Sequence, residues 1–356
     1  AVALLNIVMF EGVEAMTAIE KAAIYQRIYI MALAIPAISI SGVLLAAILR
    51  HRRRRMLARR GLSPEEIAAK VDRPVEKTEP NHWYFVGGIA FVALTLAVGL
   101  SGIASSQEVV FLGSIAIVLA LMRQLIAKLD QAHAQALIGT AIIIFVFRAV
   151  PRPGAGATWF EIDVLGFDQQ FLSVLSLITS LLTLAGMIIL RPLIASRTIS
   201  HIVILLTVAA GVLSLPNIGL YYGLHQWTGP LTGGIVDARF IAVMDTAVES
   251  PLGQIAMIPM LAWIAKNAPS ELKATFFAVM ASFTNLALSA SSLLTKYLNQ
   301  AFLVTREVRD RMTGEIITAA NYDSLGWLLI VVSVTGVAAP LATILIVQHT
   351  VFRTEE

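Results

Sequence analysis

Two carboxylates four residues apart, Asp245 and Glu249, stand just ahead of Pro251 in the run GGIVDARFIAVMDTAVESPLGQIAMIPMLAWIAKNAP. That spacing puts both side chains on one face of an α-helix. In a low-dielectric setting two such groups resist ionising together, so one pKa rises toward neutrality and suits proton uptake. Pro251 frees a backbone carbonyl one turn earlier, and Pro259 repeats the device. Loosened backbone beside carboxylates is tolerated at membrane depth where it lines a polar cavity. Gln254 lies farther along, and Asp237 and Arg239 stand at the outer start of the same stretch. The structural alternative is a charge-paired cluster near a membrane boundary, held by Arg148 or Arg239.

Arg148 ends the run IIIFVFR, directly before AVPRPG. Its planar fork suits a carboxylate or phosphate on a solute, and snorkelling to headgroups suits it as well. Nearby Phe145, Phe147, Trp159 and Phe160 offer either stacking faces or interfacial anchors. Asn285 sits among Ser282, Thr284, Ser289, Ser291 and Ser292, residues that serve close helix packing or line a cavity. Arg27 shares a helical face with Glu20, as a second charged wall or as a solvated helix entrance.

Other chemistries are excluded by what the chain lacks. It has no cysteine, so disulfides, thiol catalysis and zinc–thiolate sites are ruled out. HExxH, GxSxG, Walker A and dinucleotide-binding glycine patterns are missing. The six histidines are scattered without metal-ligand spacing, so neither a metal nor a cofactor is expected.

The elements that must position these residues follow from composition. Apolar residues make up 57% of the chain and charged residues 14%, against about 25% charged in soluble domains. Mean hydropathy is +0.79. Uncharged runs such as Ile28–Leu49, Phe85–Ser106 and Trp327–Val347 match the roughly 20 residues a helix needs to cross a bilayer. The expected fold is an all-α integral membrane bundle of nine helices, near 22–50, 83–104, 107–127, 133–152, 168–191, 199–223, 236–266, 271–299 and 325–351.

Charge then orients the bundle. Loops at 50–82, 123–133, 191–201 and 266–273, taken with the C-terminus, hold 17 of the 26 Lys and Arg, and 10 of these lie in 50–82. The positive-inside rule puts that side in the cytoplasm and the N-terminus of this chain outside. Arg306, Arg309 and Arg311 in the outer loop 299–324 are exceptions. The net charge of +3 is therefore a topology signal, and no nucleic-acid partner is expected. Arg52, Arg53, Arg54 and Arg55 border the membrane, where anionic lipid headgroups attract them. After them, Ser63-Pro64-Glu65-Glu66 has the pattern of a capping box and predicts a short helix to about Val71.

Two stretches carry a family resemblance. FEIDVLGFDQQFLSVLSLITSLLTLAGMIIL at 160–190 resembles the seventh-to-eighth helix region of the folate–biopterin transporter family, a branch of the major facilitator superfamily. Residues 234–285 resemble the family's tenth and eleventh helices at Gly234, Asp237, Phe240, Asp245, Gln254, Pro259, Pro269, Thr275, Phe277, Ala278, Ser282 and Asn285. Lys273 stands where the family usually has an acidic residue. The resemblance implies a twelve-helix facilitator bundle of which these nine helices are the fourth to twelfth, the first three being absent. Residues 1–127 would then be the remainder of the N-terminal half and 128–356 the C-terminal half.

The function implied is secondary active transport of a small anionic organic solute, folate- or pteridine-like, by alternating access and with proton symport. Asp245 and Glu249 are the coupling candidates and Arg148 the anion-recognising one. The rival expectation is a non-transporting accessory or assembly subunit docked in a larger membrane complex. The membrane implied is the bacterial inner membrane.

Overall fold

The computed structural model describes residues 8–9, 18–71, 82–189, 192, 197–249, 273–310 and 313–354. Among them, eight helical segments are long and apolar enough to cross a membrane, so the protein is an all-α integral membrane bundle. The ninth expected span, 236–266, is described only through its first three turns; its remainder, with Pro251, Gln254 and Pro259, lies outside the described residues. The chain divides into two compact units, residues 1–80 with 169–174 and residues 81–168 with 175–356.

The first unit carries α1 (Ala18–Ala32), α2 (Ala34–Arg59) and α3 (Pro64–Val71). Pro36 cannot donate to the carbonyl one turn back, and the helix breaks at Leu33. Beyond it α2 runs on for 26 residues, through the whole HRRRR cluster. The basic cluster therefore extends a helix rather than opening a loop at residue 50. Arg, Met, Leu and Ala are good helix formers, and nothing in 50–60 interrupts them. Gly61, at φ +81°, supplies the left-handed residue that ends the helix. The capping box then forms as expected. Glu66 N donates to Ser63 Oγ at 3.3 Å, and Ser63 N donates to Glu66 Oε2 at 2.9 Å. These bonds hold the exposed Glu66 carboxyl below its ordinary pKa.

In the second unit, α4 (His82–Gly99) and α5 (Ser106–Ile126) form a hairpin, followed by α6 (Gln131–Ala149) and the short α7 (Ala155–Asp163). Helix α8 (Gln169–Ile189) is shared between the two units. Then come α9 (Ile199–Leu213), α10 (Leu215–Tyr221), α11 (Leu224–Leu231), α12 (Ala238–Glu249), α13 (Lys273–Ala301) and α14 (Leu325–Gln348). Helix α13 packs between α5 and α6, and α14 between α6 and α9. Leu125, Leu137, Ile144, Phe276, Met280 and Phe283 fill the first of these seams. Ile143, Val203, Ile344 and Val347 fill the second. Lipid tails are as apolar as these side chains, so close packing rather than escape from water holds the seams. The loop 299–324 contains a two-stranded antiparallel hairpin of β1 (Val308–Arg309) and β2 (Ile316–Thr318).

At the end of the unit that carries the basic loops, the chain folds back under α6 and α9. Gln348 Nε2 donates to both Ser200 Oγ and Thr354 Oγ1 at 2.7 Å, and those two hydroxyls lie 3.1 Å apart. Gly139 makes room for this tail, since a Cβ there would run into the Phe352 carbonyl oxygen. Gly139→Ala is therefore expected to cost about 1–3 kcal/mol, as overpacking does. The check is a lower melting temperature in detergent and faster proteolysis of the C-terminus. Gly42→Ala, with nothing near its Cβ position, should change neither.

Candidate functional site

The site is built on a stretch of chain that is not helical. Pro151 and Pro153 lack an N–H and bias their predecessors away from helical backbone, so α6 stops at Ala149. The exposed backbone groups at this end of the bundle need partners, and α13 supplies them. Ser291 Oγ donates to Val150 O at 2.6 Å, Arg152 N donates to Thr295 Oγ1 at 2.9 Å, and Asn299 Nδ2 donates to Pro153 O at 3.1 Å. Residues 291, 295 and 299 are each four apart and form one stripe of α13. Gly154, at φ +75°, lets the chain pass within reach of that stripe; a Cβ there would sit 2.8 Å from Asn299 Nδ2.

Helix α7 follows and forms one wall of a pocket. Pro153, Ala157, Phe160, Glu161 and Leu165 line this side. Asn217, Leu220 and Tyr221 of α10 line a second, and Leu325 and Leu329 of α14 close the base. The cavity volume is about 90 Å³, and the pocket is partly open to solvent. That is below the roughly 300–1,000 Å³ usual for whole small-molecule sites. The Phe160 and Tyr221 rings lie 5.3 Å apart, tilted by 47°.

Among the described residues, three polar side chains line this pocket. Glu161 has no hydrogen-bond or ion-pair partner among the described residues, and burial pushes its carboxyl up from the ordinary value. Asn217 sits just after Pro216, which cannot donate one turn back and marks the Ser214 junction between α9 and α10 within the span Ile199–Tyr221. Its Nδ2 donates to Oδ2 of the buried Asp245 at 2.7 Å. The Tyr221 hydroxyl is engaged with the carbonyls of Tyr322 and Asp323, each at 3.0 Å.

Charges outside the pocket hold α7 in place. Asp163 accepts from Arg306 Nε at 3.0 Å, Arg306 Nη2 at 2.8 Å and the Tyr322 hydroxyl at 2.6 Å. The guanidinium, with the phenol assisting, keeps the Asp163 carboxyl below its ordinary pKa despite partial burial. Tyr322 is pushed up to about 12, by burial first and by Asp163 second. It therefore remains a hydrogen-bond donor across the physiological range. On the far side of α7, Arg239 Nη2 pairs with Asp168 at 3.0 Å. A separate pair joins α5 to α13, where Lys296 Nζ and the Tyr297 hydroxyl both donate to Glu108 Oε1 at 2.7 Å.

The residues singled out from sequence are dispersed. Asp245 stands directly behind the pocket through Asn217. Glu249 is the last residue of α12. Arg148, in the last turn of α6, does not line the pocket, yet its Nε is buried with no hydrogen-bond partner among the described residues. Asp237 caps α12, accepting from Phe240 N at 2.8 Å, which gives it a structural task. Arg239 serves the ion pair with Asp168, and Asn285 is exposed on α13. Arg27 is exposed in the other unit. Sequence reasoning overlooked Glu161 and Asn217. The signals were the acid beside Phe160 and the Pro-Asn pair interrupting an apolar run.

Comparison with known proteins sets this site in a context. The model of the BT1 family matches residues 21–356. Among curated proteins, the chain is similar to the folate-biopterin transporter of Synechocystis sp., 25% identical over 198 residues. That stretch is 54% of this chain and 35% of the relative, so the chain spans about a third of that protein's length. No solved structure matches.

The pairing of Asp163 makes a pH-dependent contribution whose sign is determined. Its folded pKa is depressed, so the stabilisation is present above the unfolded value of about 3.9 and is lost as pH falls through the lower folded value. Arg306→Ala should lower stability near pH 7 by about 1 kcal/mol or less, since the pair is partly exposed. Melting curves of variant and wild type should converge under acid. A gap that stays constant down to that range would show that Arg306 acts through packing alone.

Proposed function

The chain belongs to the BT1 family, and we propose that it is a secondary transporter carrying a folate- or pteridine-like solute across a membrane. The observation that carries this reading is the family match across residues 21–356. The resemblance to a folate-biopterin transporter and the helical membrane bundle support it. The rival reading as an accessory subunit draws no support from that match.

In this reading the bundle is part of a facilitator-like fold. Its halves meet near residue 127 and alternate in exposing a central site. The end carrying the basic loops faces the cytoplasm of a bacterial cell, and the pocket end faces outward. Positive charge outside is then partly neutralised, because Arg306 pairs with Asp163 and Arg309 with Glu307. Asp245 and Glu249 carry the coupling proton. Arg148 recognises the anionic part of the solute, which the buried, unengaged Nε supports. An unmatched guanidinium N–H is costly to leave buried, and a solute carboxylate would satisfy it. Arg52, Arg53, Arg54 and Arg55 rest on anionic headgroups at the cytoplasmic surface.

Uptake of labelled folate and biopterin by vesicles bearing the intact protein tests this. Asp245→Asn should abolish the part of uptake driven by an imposed pH gradient, with insertion unchanged. Uptake still driven by the gradient in that variant removes Asp245 from coupling. Arg148→Lys keeps the charge but loses the fork, and should weaken folate uptake about tenfold.

A further inference from the structure

The pocket between α7, α10 and α14 has a polarity that narrows what can enter it. Among the described residues, Glu161, Asn217 and Tyr221 bring the polar side chains to its lining. Glu161 presents carboxyl oxygens with no partner among the described residues. Asn217 is oriented by Asp245, because a carboxylate oxygen can only take the amide NH₂ group. That contact turns the Asn217 carbonyl oxygen away from Asp245 and leaves it as an acceptor. The Tyr221 proton is committed to the carbonyls of Tyr322 and Asp323, so its oxygen too can only accept. With Glu161 ionised, the described residues of the lining offer acceptors and no side-chain donor.

We infer that this pocket reads the 2-amino-4-oxo edge of a pteridine ring, with Glu161 receiving its paired N–H groups. That edge carries an exocyclic amine beside a ring N–H, two parallel donors in one plane. The spacing matches the two oxygens of a carboxylate, as the guanidinium fork does in an arginine–carboxylate pair. The flat ring finds Phe160 and Tyr221 beside it as aromatic surfaces. A solute's own carboxylate would be repelled by Glu161, so only the ring end belongs here. A half-buried carboxylate without donors is costly, and the ring relieves that cost where a carbonyl-rich edge would add to it. Positioning comes from α7, which Arg306 and Tyr322 grip through Asp163 two residues beyond Glu161.

The inference rests on the proposed transport of pteridines and deepens it to one edge of the solute. Binding to the purified intact protein is measured by ligand-induced melting shifts and by titration. The probes are biopterin, which has the 2-amino group, lumazine, which has a 2-oxo group instead, and methylguanidine, which has the N–H pair without the ring. Biopterin should bind about 10- to 100-fold more tightly than lumazine, as hydrogen bonds to a charged group imply. Methylguanidine should bind far more weakly than biopterin. Glu161→Gln should reduce biopterin binding by a similar factor while leaving lumazine nearly unchanged. A wild type that binds both pteridines equally overturns the inference with no variant needed. A Glu161→Gln protein that keeps the wild-type ratio overturns it too. Methylguanidine binding as tight as biopterin shows that the pocket reads a guanidinium and not a ring. If biopterin is imported but the ratio does not depend on Glu161, only this inference fails; if no pteridine is imported, the transport reading fails with it.

Discussion

Backbone groups inside a membrane protein have no water to fall back on, and this constraint organises the second unit. Helices satisfy it internally, so the informative place is where a helix stops. Between α6 and α7 two prolines force the chain out of helical backbone. Ser291, Thr295 and Asn299 of α13 then take up the groups left over. Those three contacts fix where α6 ends, and therefore where Arg148 sits. They also set where α7 begins, and so the place of Phe160 and Glu161. The small polar residues of α13 thus divide their labour. Ser291 is spent on structure, while Asn285, two turns earlier, is left exposed.

Ion pairs gather at the pocket end for a related reason. Short helices such as α7 bury too little surface to hold themselves, and their position must come from specific contacts. Arg306 and Tyr322 reach Asp163 from the segment after α13, and Arg239 reaches Asp168 from α12. Glu108, Lys296 and Tyr297 join α5 to α13 in the same manner. These pairs are partly exposed, so each contributes little to overall stability. Their effect is geometric: those on Asp163 hold one wall of a small pocket whose own lining is mostly apolar. The same pairing offsets the positive charge of Arg306 and Arg309 in the segment after α13.

Several features could be read directly because they depend on neighbours along the chain. The membrane class followed from long uncharged runs. The α3 start followed from Ser63 and Glu66, which satisfy each other's backbone donors within one turn. The reach of α2 through Arg59 departs from the loop expected at residue 50, because the polarity of the HRRRR run suggests a loop while helix propensity runs on to Gly61. The span expected at 199–223 stands as Ile199–Tyr221, and the junction at Ser214 is not legible because Pro216 lies in an otherwise uniform apolar run.

What the sequence by itself determined is therefore the class of protein, the direction of its charge bias and the acidic stretch Asp237–Glu249 that became α12. Each of these depends on composition or on residues within a turn or two of one another. Only the tertiary structure decided which polar groups meet. It set Asn217 against Asp245 from 28 residues away, gave Asp237 a capping task, and engaged Arg239 with Asp168. It also left Glu161 facing a pocket with no partner among the described residues. The reason is physical: whether a charged group is matched depends on which helices pack side by side. Local spacing says nothing about that until the bundle has closed.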